Sequence, residues 1–287
     1  MFLLKRKVFL FSLIFSFFCA FTANAQRRHN GLINTRALIN NEKLGFTFGG
    51  GLTSYYGDLC DKFECMHFRP NFGIGAMLRL TDNIGIKADL SYFRLYSDDV
   101  WEQRNLDFRS NNAEFAVMAY YQYFPYERYR HKQKKWNIYA FLGLGLSYFS
   151  PQGSLNGKWH NLRPLQTEGV KYSPITAIIP YGAGFSFRLN KQWQILIEGS
   201  YRKTFTDHLD DVSSKEWRLS NTFEDKLAAQ VSNKTGMGDA YWLKTGQYRG
   251  NPAKKDGYFM GQIKLKYTIL TKVTHYRLRR SPMRKRF

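Results

Sequence analysis

The densest group of side chains able to do chemistry is the run Thr206-Asp207-His208-Leu209-Asp210-Asp211, followed by Ser213. Carboxylates beside an imidazole could hold calcium or zinc, or work as general acid and base. A loop carrying His, Asp and Ser on a small membrane barrel would also suit a lipid acyltransferase or lipase. The patterns that usually accompany such chemistry are missing: there is no Gly-x-Ser-x-Gly elbow, no His-Glu-x-x-His and no EF-hand spacing. Local roles carry more weight. Asp and Ser side chains cap turns, and Glu198 and Arg202 flank Ser200 on one strand face, where they suit an internal ion pair. No catalytic residue, metal ligand or cofactor site is assigned, and an enzyme ranks below a structural or docking role.

Two other patterns invite chemistry. Cys60 and Cys65 flank Asp61-Lys62-Phe63-Glu64; in an exported protein they can form a disulfide that stiffens a loop tip, with free thiols as the alternative. Gly49-Gly50-Gly51, Gly73/Gly75, Gly143/Gly145 and Gly182/Gly184 are not phosphate cradles, because no helix follows them. They lie on strands, where small residues relieve crowding.

Export is read from the first 25 residues. Lys5-Arg6-Lys7 precede an apolar run from Val8 to Phe21, and Ala23-Asn24-Ala25 offer small residues to a signal peptidase. Residues 1–25 are therefore a signal peptide, and Cys19 leaves with it. The formal charge of +21 would suit nucleic acid, but export removes DNA and RNA as natural partners. Forty-nine aromatic residues (24 Phe, 19 Tyr, 6 Trp) exclude a disordered chain.

Beyond residue 43 the dominant hydrophobic period is two. Eight segments alternate: 45–56, 71–80, 84–96, 112–124, 137–149, 177–189, 193–205 and 259–270. Each has roughly the length that a tilted strand needs to cross a bilayer. One face is wholly apolar, with Phe, Tyr and Trp gathered at segment ends. The other mixes Gly, Ser, Asn and Gln with Arg79, Lys87, Asp89, Glu114, Arg188, Glu198, Arg202, Lys264 and Lys266, too many ions for an apolar core. The apolar face is thus expected to point outward. The inward ions Arg79, Arg188 and Arg202 are read as paired with Asp89, Glu114 and Glu198 in a network that plugs the lumen. Short turns (81–83, 125–135, 190–192) alternate with long loops (57–69, 97–108, 150–174, 206–257). The expectation is an all-β fold: an eight-stranded antiparallel transmembrane β-barrel over 44–270, with short periplasmic turns, long extracellular loops and both ends in the periplasm. A ten-stranded count, with a further hairpin inside Leu227 to Thr245, is the minority alternative.

This topology apportions the charge. Loss of Lys5, Arg6 and Lys7 leaves +18, of which +14 falls on the turn side: the segment 26–43, the turns and the tail 271–287. The tail contains no acid. Arg128, Arg130, Lys132, Lys134 and Lys135, together with Arg277, Arg279, Arg280, Arg284, Lys285 and Arg286, are candidate residues for docking an acidic periplasmic partner. The plain alternative is a solvated extension touching anionic lipid.

Six stretches, taken in order, resemble a known family: Tyr55-Tyr56-Gly57-Asp58-Leu59; Arg109 to Phe115; Leu162 to Gly169; Ile179-Pro180-Tyr181-Gly182-Ala183-Gly184; Glu198 to Ser213; and Tyr248-Arg249-Gly250-Asn251-Pro252 before Asp256-Gly257-Tyr258. Together they resemble the PorG-like outer-membrane barrels of the type IX secretion system of Bacteroidota, across roughly residues 44 to 270. Two departures are His208, where the pattern has Tyr, and the region 214–245. The resemblance implies a non-enzymatic barrel without cofactors, integral to the outer membrane. It also implies association with a periplasmic ring of a PorK-like lipoprotein and a PorN-like protein, and a need in protein transport and, in gliding species, motility. Outer-membrane lipid and lipopolysaccharide are the remaining expected partners. A free-standing structural or adhesion barrel is the competing class.

Overall fold

The computed structural model describes residues 43–99, 104–126, 134–235, 238–245, 248–251, 253 and 255–270. Ten strands appear in chain order: β1 (Leu44–Tyr56), β2 (Arg69–Arg79), β3 (Ile84–Asp98), β4 (Asp107–Gln122), β5 (Trp136–Tyr148), β6 (Pro151–Leu155), β7 (Lys158–Asn161), β8 (Ile175–Arg188), β9 (Trp193–Thr204) and β10 (Gly257–Thr268). Eight of them close on themselves. The ladder runs β3-β2-β1-β10-β9-β8-β5-β4, and β3 pairs with β4 from Ile84↔Tyr121 to Asp98↔Asp107 to complete the ring. Every neighbouring pair is antiparallel. The fold is a closed eight-stranded β-barrel, which leaves no unpaired strand edge around its girth.

The two strands outside the ring do not lie where a second hairpin was expected. Leu227 to Thr245 holds two helices, α1 (Lys226–Ser232) and α2 (Asp239–Thr245), not strands. Asp225 opens α1 by accepting a hydrogen bond from the Leu227 amide at 2.9 Å, as an N-cap does. The additional hairpin is β6–β7, within 150–174, and β6 pairs with the protruding start of β4 through Arg109↔Gln152 and Ser110↔Pro151.

Alternation decides which face points in. Phe72, Ile74, Leu90, Phe115, Leu142, Leu144, Ile197 and Ile263 are exposed on the outer wall, while Lys87, Asp89, Glu114, Glu198, Arg202 and Lys264 are buried inside. Short connections join the strands at one end. Thr81 Oγ1 accepts from the Ile84 amide at 3.0 Å, and Asn190 Oδ1 accepts from the Gln192 and Trp193 amides at 2.8 and 2.9 Å. Both are side-chain-closed turns. The described chain enters β1 and leaves β10 at this turn end, and four long loops fold together at the other.

Candidate functional site

The loop end gathers the chemistry-bearing run. Asp210, Asp211 and Asp207 are buried; Asp210 and Asp211 have partners on other segments, and Asp207 has one within its own loop. Asp207 accepts from Ser213 Oγ at 2.8 Å. Asp211 accepts from the hydroxyls of Tyr172, at 2.7 Å, and Thr167. The His208 ring stacks on Tyr172, with centroids 4.7 Å apart, and its Nδ1 lies 3.6 Å from Glu168 Oε2. Glu168 in turn pairs with Arg249 and accepts from the amides of Ser213 and Ser214 at 2.8 and 2.9 Å. Burial by itself would raise the Glu168 carboxyl; Arg249, His208 and those two amides overcome it and hold the group down at about 2.

Below this layer the Tyr55 hydroxyl lies 2.6 Å from Asp210 Oδ2 and 2.7 Å from Asp256 Oδ1. A phenol has one proton to give, so hydrogen bonding to both requires one of the two carboxyls to be protonated. Burial first, then neighbouring carboxylate charge, pushes Asp210 and Asp256 well above the usual carboxylate range. Gly57 is obligatory beside them, because a Cβ there would overlap the Tyr55 hydroxyl and Asp256 Oδ1. Around the triad, Leu59, Phe93, Leu95, Phe108, Leu209 and Val212 form a buried apolar cluster that fills this end of the lumen. Cys60 and Cys65 are joined in a disulfide, with Cys60 buried in the same cluster. The run 206–211 is therefore a set of cross-braces between loops, its polar atoms used to tie 162–169, 205–213 and 248–256 into a cap.

The middle of the lumen holds two ion clusters. Lys87 Nζ lies 2.5 Å from Glu198 Oε1 and 3.1 Å from Asp89 Oδ2; Lys264 Nζ lies 2.9 Å from Asp89 Oδ2 and 3.1 Å from Glu198 Oε2. The quartet is neutral, Tyr139 donates to Glu198 at 2.7 Å, and Lys87 sits 4.1 Å from the centre of the Phe141 ring. One level nearer the loop end, Arg202 Nε contacts Glu114 at 3.2 Å, and Tyr258 donates to the same carboxylate at 2.7 Å. Glu198 and Arg202 are thus not partners of each other, against the expectation from their spacing. Both point inward, but they are four residues apart on β9, and each finds a counter-ion across the lumen at its own level.

Arg79 and Arg188 do not join Asp89, Glu114 or Glu198 either. They lie at the turn end, where they line a cleft with Lys266, Lys134 and Lys135. The Arg79 guanidinium stands 3.2 Å from the centre of the Tyr126 ring, and Lys134 Nζ stands 3.6 Å from that of Phe124. Arg128, Arg130 and Lys132, and the tail residues Arg277, Arg279, Arg280, Arg284, Lys285 and Arg286, lie outside the described residues. The spacing of the sequence did not single out Lys43 or Lys191, which line the same cleft. Their only signal was position, next to the first strand and inside a tight turn.

The sequence profile of the "Outer membrane protein beta-barrel domain" family matches residues 13–223, nearly three-quarters of the chain. The chain belongs to that family. This outer-membrane barrel is similar to three solved structures, each at low identity. Neisserial surface protein A is 11% identical, with 79% of this chain and 97% of that one covered and a TM-score of 0.40. The outer membrane protein OprG of Pseudomonas aeruginosa is 10% identical, with 82% and 100% covered and a TM-score of 0.39. Ail, the attachment invasion locus protein of Yersinia pestis, is 10% identical, with 80% and 99% covered and a TM-score of 0.38. No curated relative matches the sequence.

An integral position in the outer membrane explains the exposed apolar wall. Its aromatic residues form two groups, as an outer-membrane barrel places them at its two interfaces. At the turn end Trp193 packs on Tyr267, with centroids 4.9 Å apart, and Trp136 stacks on Phe185 at 6.1 Å. Towards the loop end Tyr201 packs on Phe259 at 4.8 Å and on Tyr181 at 5.6 Å.

Proposed function

We propose that this outer-membrane barrel is a non-enzymatic, PorG-like component of the type IX secretion machinery, with its turn end in the periplasm docking a ring of PorK-like and PorN-like proteins. One observation supports this reading more than any other. Four of the six stretches that resemble the family, spread from Tyr55 to Asp256 in sequence, meet in one cross-braced cap: Tyr55 with Asp210 and Asp256, Glu168 with Arg249, and Asp58 Oδ2 with the Asn251 amide at 2.6 Å. Stretches that resemble a family and also build one contiguous unit are what a shared architecture would produce, and this supports the reading.

The partner contact is assigned to the opposite end. There the turns and the tail concentrate positive charge, and the described cations Lys134 and Lys135 flank the entrance to the lumen. Long-range attraction of this kind steers an acidic partner toward one side of the membrane only. The test is photo-cross-linking in intact cells from a reactive residue placed at Lys135. Capture of periplasmic ring proteins supports the machine. A barrel that is inserted and abundant but captures none of them is instead a free-standing structural or adhesion barrel.

A further inference from the structure

Towards the loop end, the outer wall of β3 and β4 changes character at one height. On β3 the outward residues Ile84, Ile86, Ala88, Leu90 and Tyr92 are apolar, and Arg94 is the first that is not. On β4 the same step falls between Ala113 and Asn111. Arg94 lies opposite Asn111 and Tyr96 opposite Arg109, so the two arginines are diagonal neighbours, about 7–8 Å apart at the backbone. An apolar run that ends together on adjacent strands marks the edge of the hydrocarbon layer, and the residues just beyond it stand where lipid headgroups lie.

Amides and rings hold these cations in place. Arg94 Nε donates to Asn111 Oδ1 at 2.8 Å, and Arg109 Nε donates to Gln152 Oε1 at 2.9 Å. The Arg109 guanidinium lies 4.4 Å from the centre of the Trp159 ring, Trp159 packs on Tyr96 at 6.3 Å, and Arg69 lies 4.5 Å from the centre of Tyr96. Each member of the diagonal pair thus uses its Nε–H on an amide, and its terminal nitrogens make no other hydrogen bond among the described residues. The outward acids one row higher are engaged, Asp98 with His67 at 2.5 Å and Asp107 with Lys234 and the Ser154 hydroxyl. Glu102 lies outside the described residues. Directly below the arginines the wall is hollowed. Gly50, Phe72, Tyr92 and Ala113 form one cross-strand row, and its two small residues open an apolar groove of about 620 Å³, lined also by Ile74 and Leu90 of the row beneath. Tyr92 and Ala113 are the outward residues next to Arg94 and Asn111, so groove and cations are contiguous.

We propose that this face binds one phosphorylated glycolipid, the lipid A of lipopolysaccharide, with a phosphate on the terminal nitrogens of Arg94 and Arg109 and an acyl chain in the groove beneath. This rests on the reading above only in placing the loop end at the outer leaflet. Guanidinium forks match phosphate oxygens two at a time, and such charge-assisted bonds are stronger at the edge of a low-dielectric layer. The Trp159 ring and the Gln152 amide fix Arg109 before a ligand arrives, which lowers the entropy lost on binding. An acidic protein segment would meet the cations but has nothing to lay in an apolar groove on the membrane-facing wall. A free anion likewise leaves the groove unused. A lipid satisfies both halves of the site, and lipopolysaccharide is the phosphorylated lipid of the outer leaflet, so its phosphates stand at this height.

The test titrates the full-length protein, in neutral detergent, with purified lipid A and follows bound lipid by native mass spectrometry. The wild type should retain lipid A. Arg94→Gln and Arg109→Gln should each weaken retention about tenfold, with the barrel checked by heat-modifiable migration. Ala113→Phe fills the groove without changing charge and should weaken it about fourfold, the worth of a single buried methylene. Lys203→Gln removes an exposed outward cation from β9, four strands around the ring from β3, and should leave retention unchanged. Lipid A stripped of its phosphates should bind the wild type no better than it binds Arg94→Gln. Equal retention of lipid A by the arginine variants and the wild type overturns the proposal. So does a loss on Lys203→Gln as large as theirs, retention of phosphatidylglycerol as tight as that of lipid A, or displacement of lipid A by an oligoglutamate peptide. Failure here and failure of the docking reading are separable, because ring capture is read from Lys135 at the other end. Ring capture by a wild type that retains no lipid A would sink the lipid site but keep the machine; lipid A retention without ring capture would do the reverse.

Discussion

Replacing Glu198 by Gln removes one negative charge from the mid-lumen quartet without changing its size. Glu198 loses two attractions, to Lys87 at 2.5 Å and Lys264 at 3.1 Å, and the quartet is left with a net positive charge. At an effective dielectric near 20, each unit pair at about 4 Å is worth about 4 kcal/mol, so the gross loss is about 8 kcal/mol. Two terms offset it. The repulsion between Glu198 and Asp89 vanishes, and the several kcal/mol needed to strip water from one carboxylate are no longer incurred. The net destabilisation expected is about 3–5 kcal/mol, the range seen when one member of a buried ion pair is deleted. The double variant Glu198→Gln/Lys264→Met leaves Lys87 with Asp89 as a neutral pair and should recover most of this, giving a coupling of about 2–3 kcal/mol. Urea titration of the barrel in lipid vesicles, followed by tryptophan fluorescence and heat-modifiable migration, measures both numbers. A cost below about 1 kcal/mol for Glu198→Gln, or strict additivity in the cycle, would show that the quartet is hydrated and refute the account of a sealed lumen.

The cap should be most protected at intermediate pH. Glu168, held at about 2 against an ordinary 4.5, stabilises the cap above pH 4.5, and that stabilisation is lost as pH falls toward 2. Asp210 and Asp256, raised by burial, stabilise it most below the usual Asp range, and that contribution is lost as pH rises through their elevated values. The hydrogen-exchange protection factors in 205–213, taken relative to the intrinsic rate at each pH, should therefore fall on both flanks, with Asp256→Asn flattening the alkaline one; a monotonic protection profile in the wild type would contradict the assignment. Cys65→Ser, at the more accessible end of the disulfide, should speed tryptic cleavage at Lys62 several-fold while leaving heat-modifiable migration of the barrel unchanged. His208→Ala should loosen the stacking on Tyr172 yet leave the lipid composition of the outer membrane as it was; loss of a lipid-modifying activity would make the run catalytic after all.

How much of this was legible in the sequence depends on where bilayer and lumen impose opposite solvents. Between them, period-two alternation is compulsory, and the strand centres follow from it. The limits of that signal are visible at β4, which the alternation begins at Asn112 and the structure begins at Asp107. From Asp107 to Asn111 the outward residues are Asp, Arg and Asn, because the strand has left the apolar belt and its outer face meets water. The β6–β7 hairpin is hidden for the same reason: its pattern Pro-Gln-Gly-Ser-Leu carries no two-sided contrast, and it exists because β4 protrudes far enough to offer an edge.

Pairing of the inward ions was less legible than their direction. Sequence spacing gives the height of a residue along its own strand, but the counter-ion is chosen by registers that bring three strands to one level. Lys87 on β3, Glu198 on β9 and Lys264 on β10 meet because β10 stands beside β9 while β1 and β2 bridge to β3, a relation closed only by the ring as a whole. The same geometry sends Arg79 and Arg188 past the ends of that network, to the mouth. Two arginines that look like members of one lumenal network therefore stand outside it, beyond the level at which the inner ions neutralise one another.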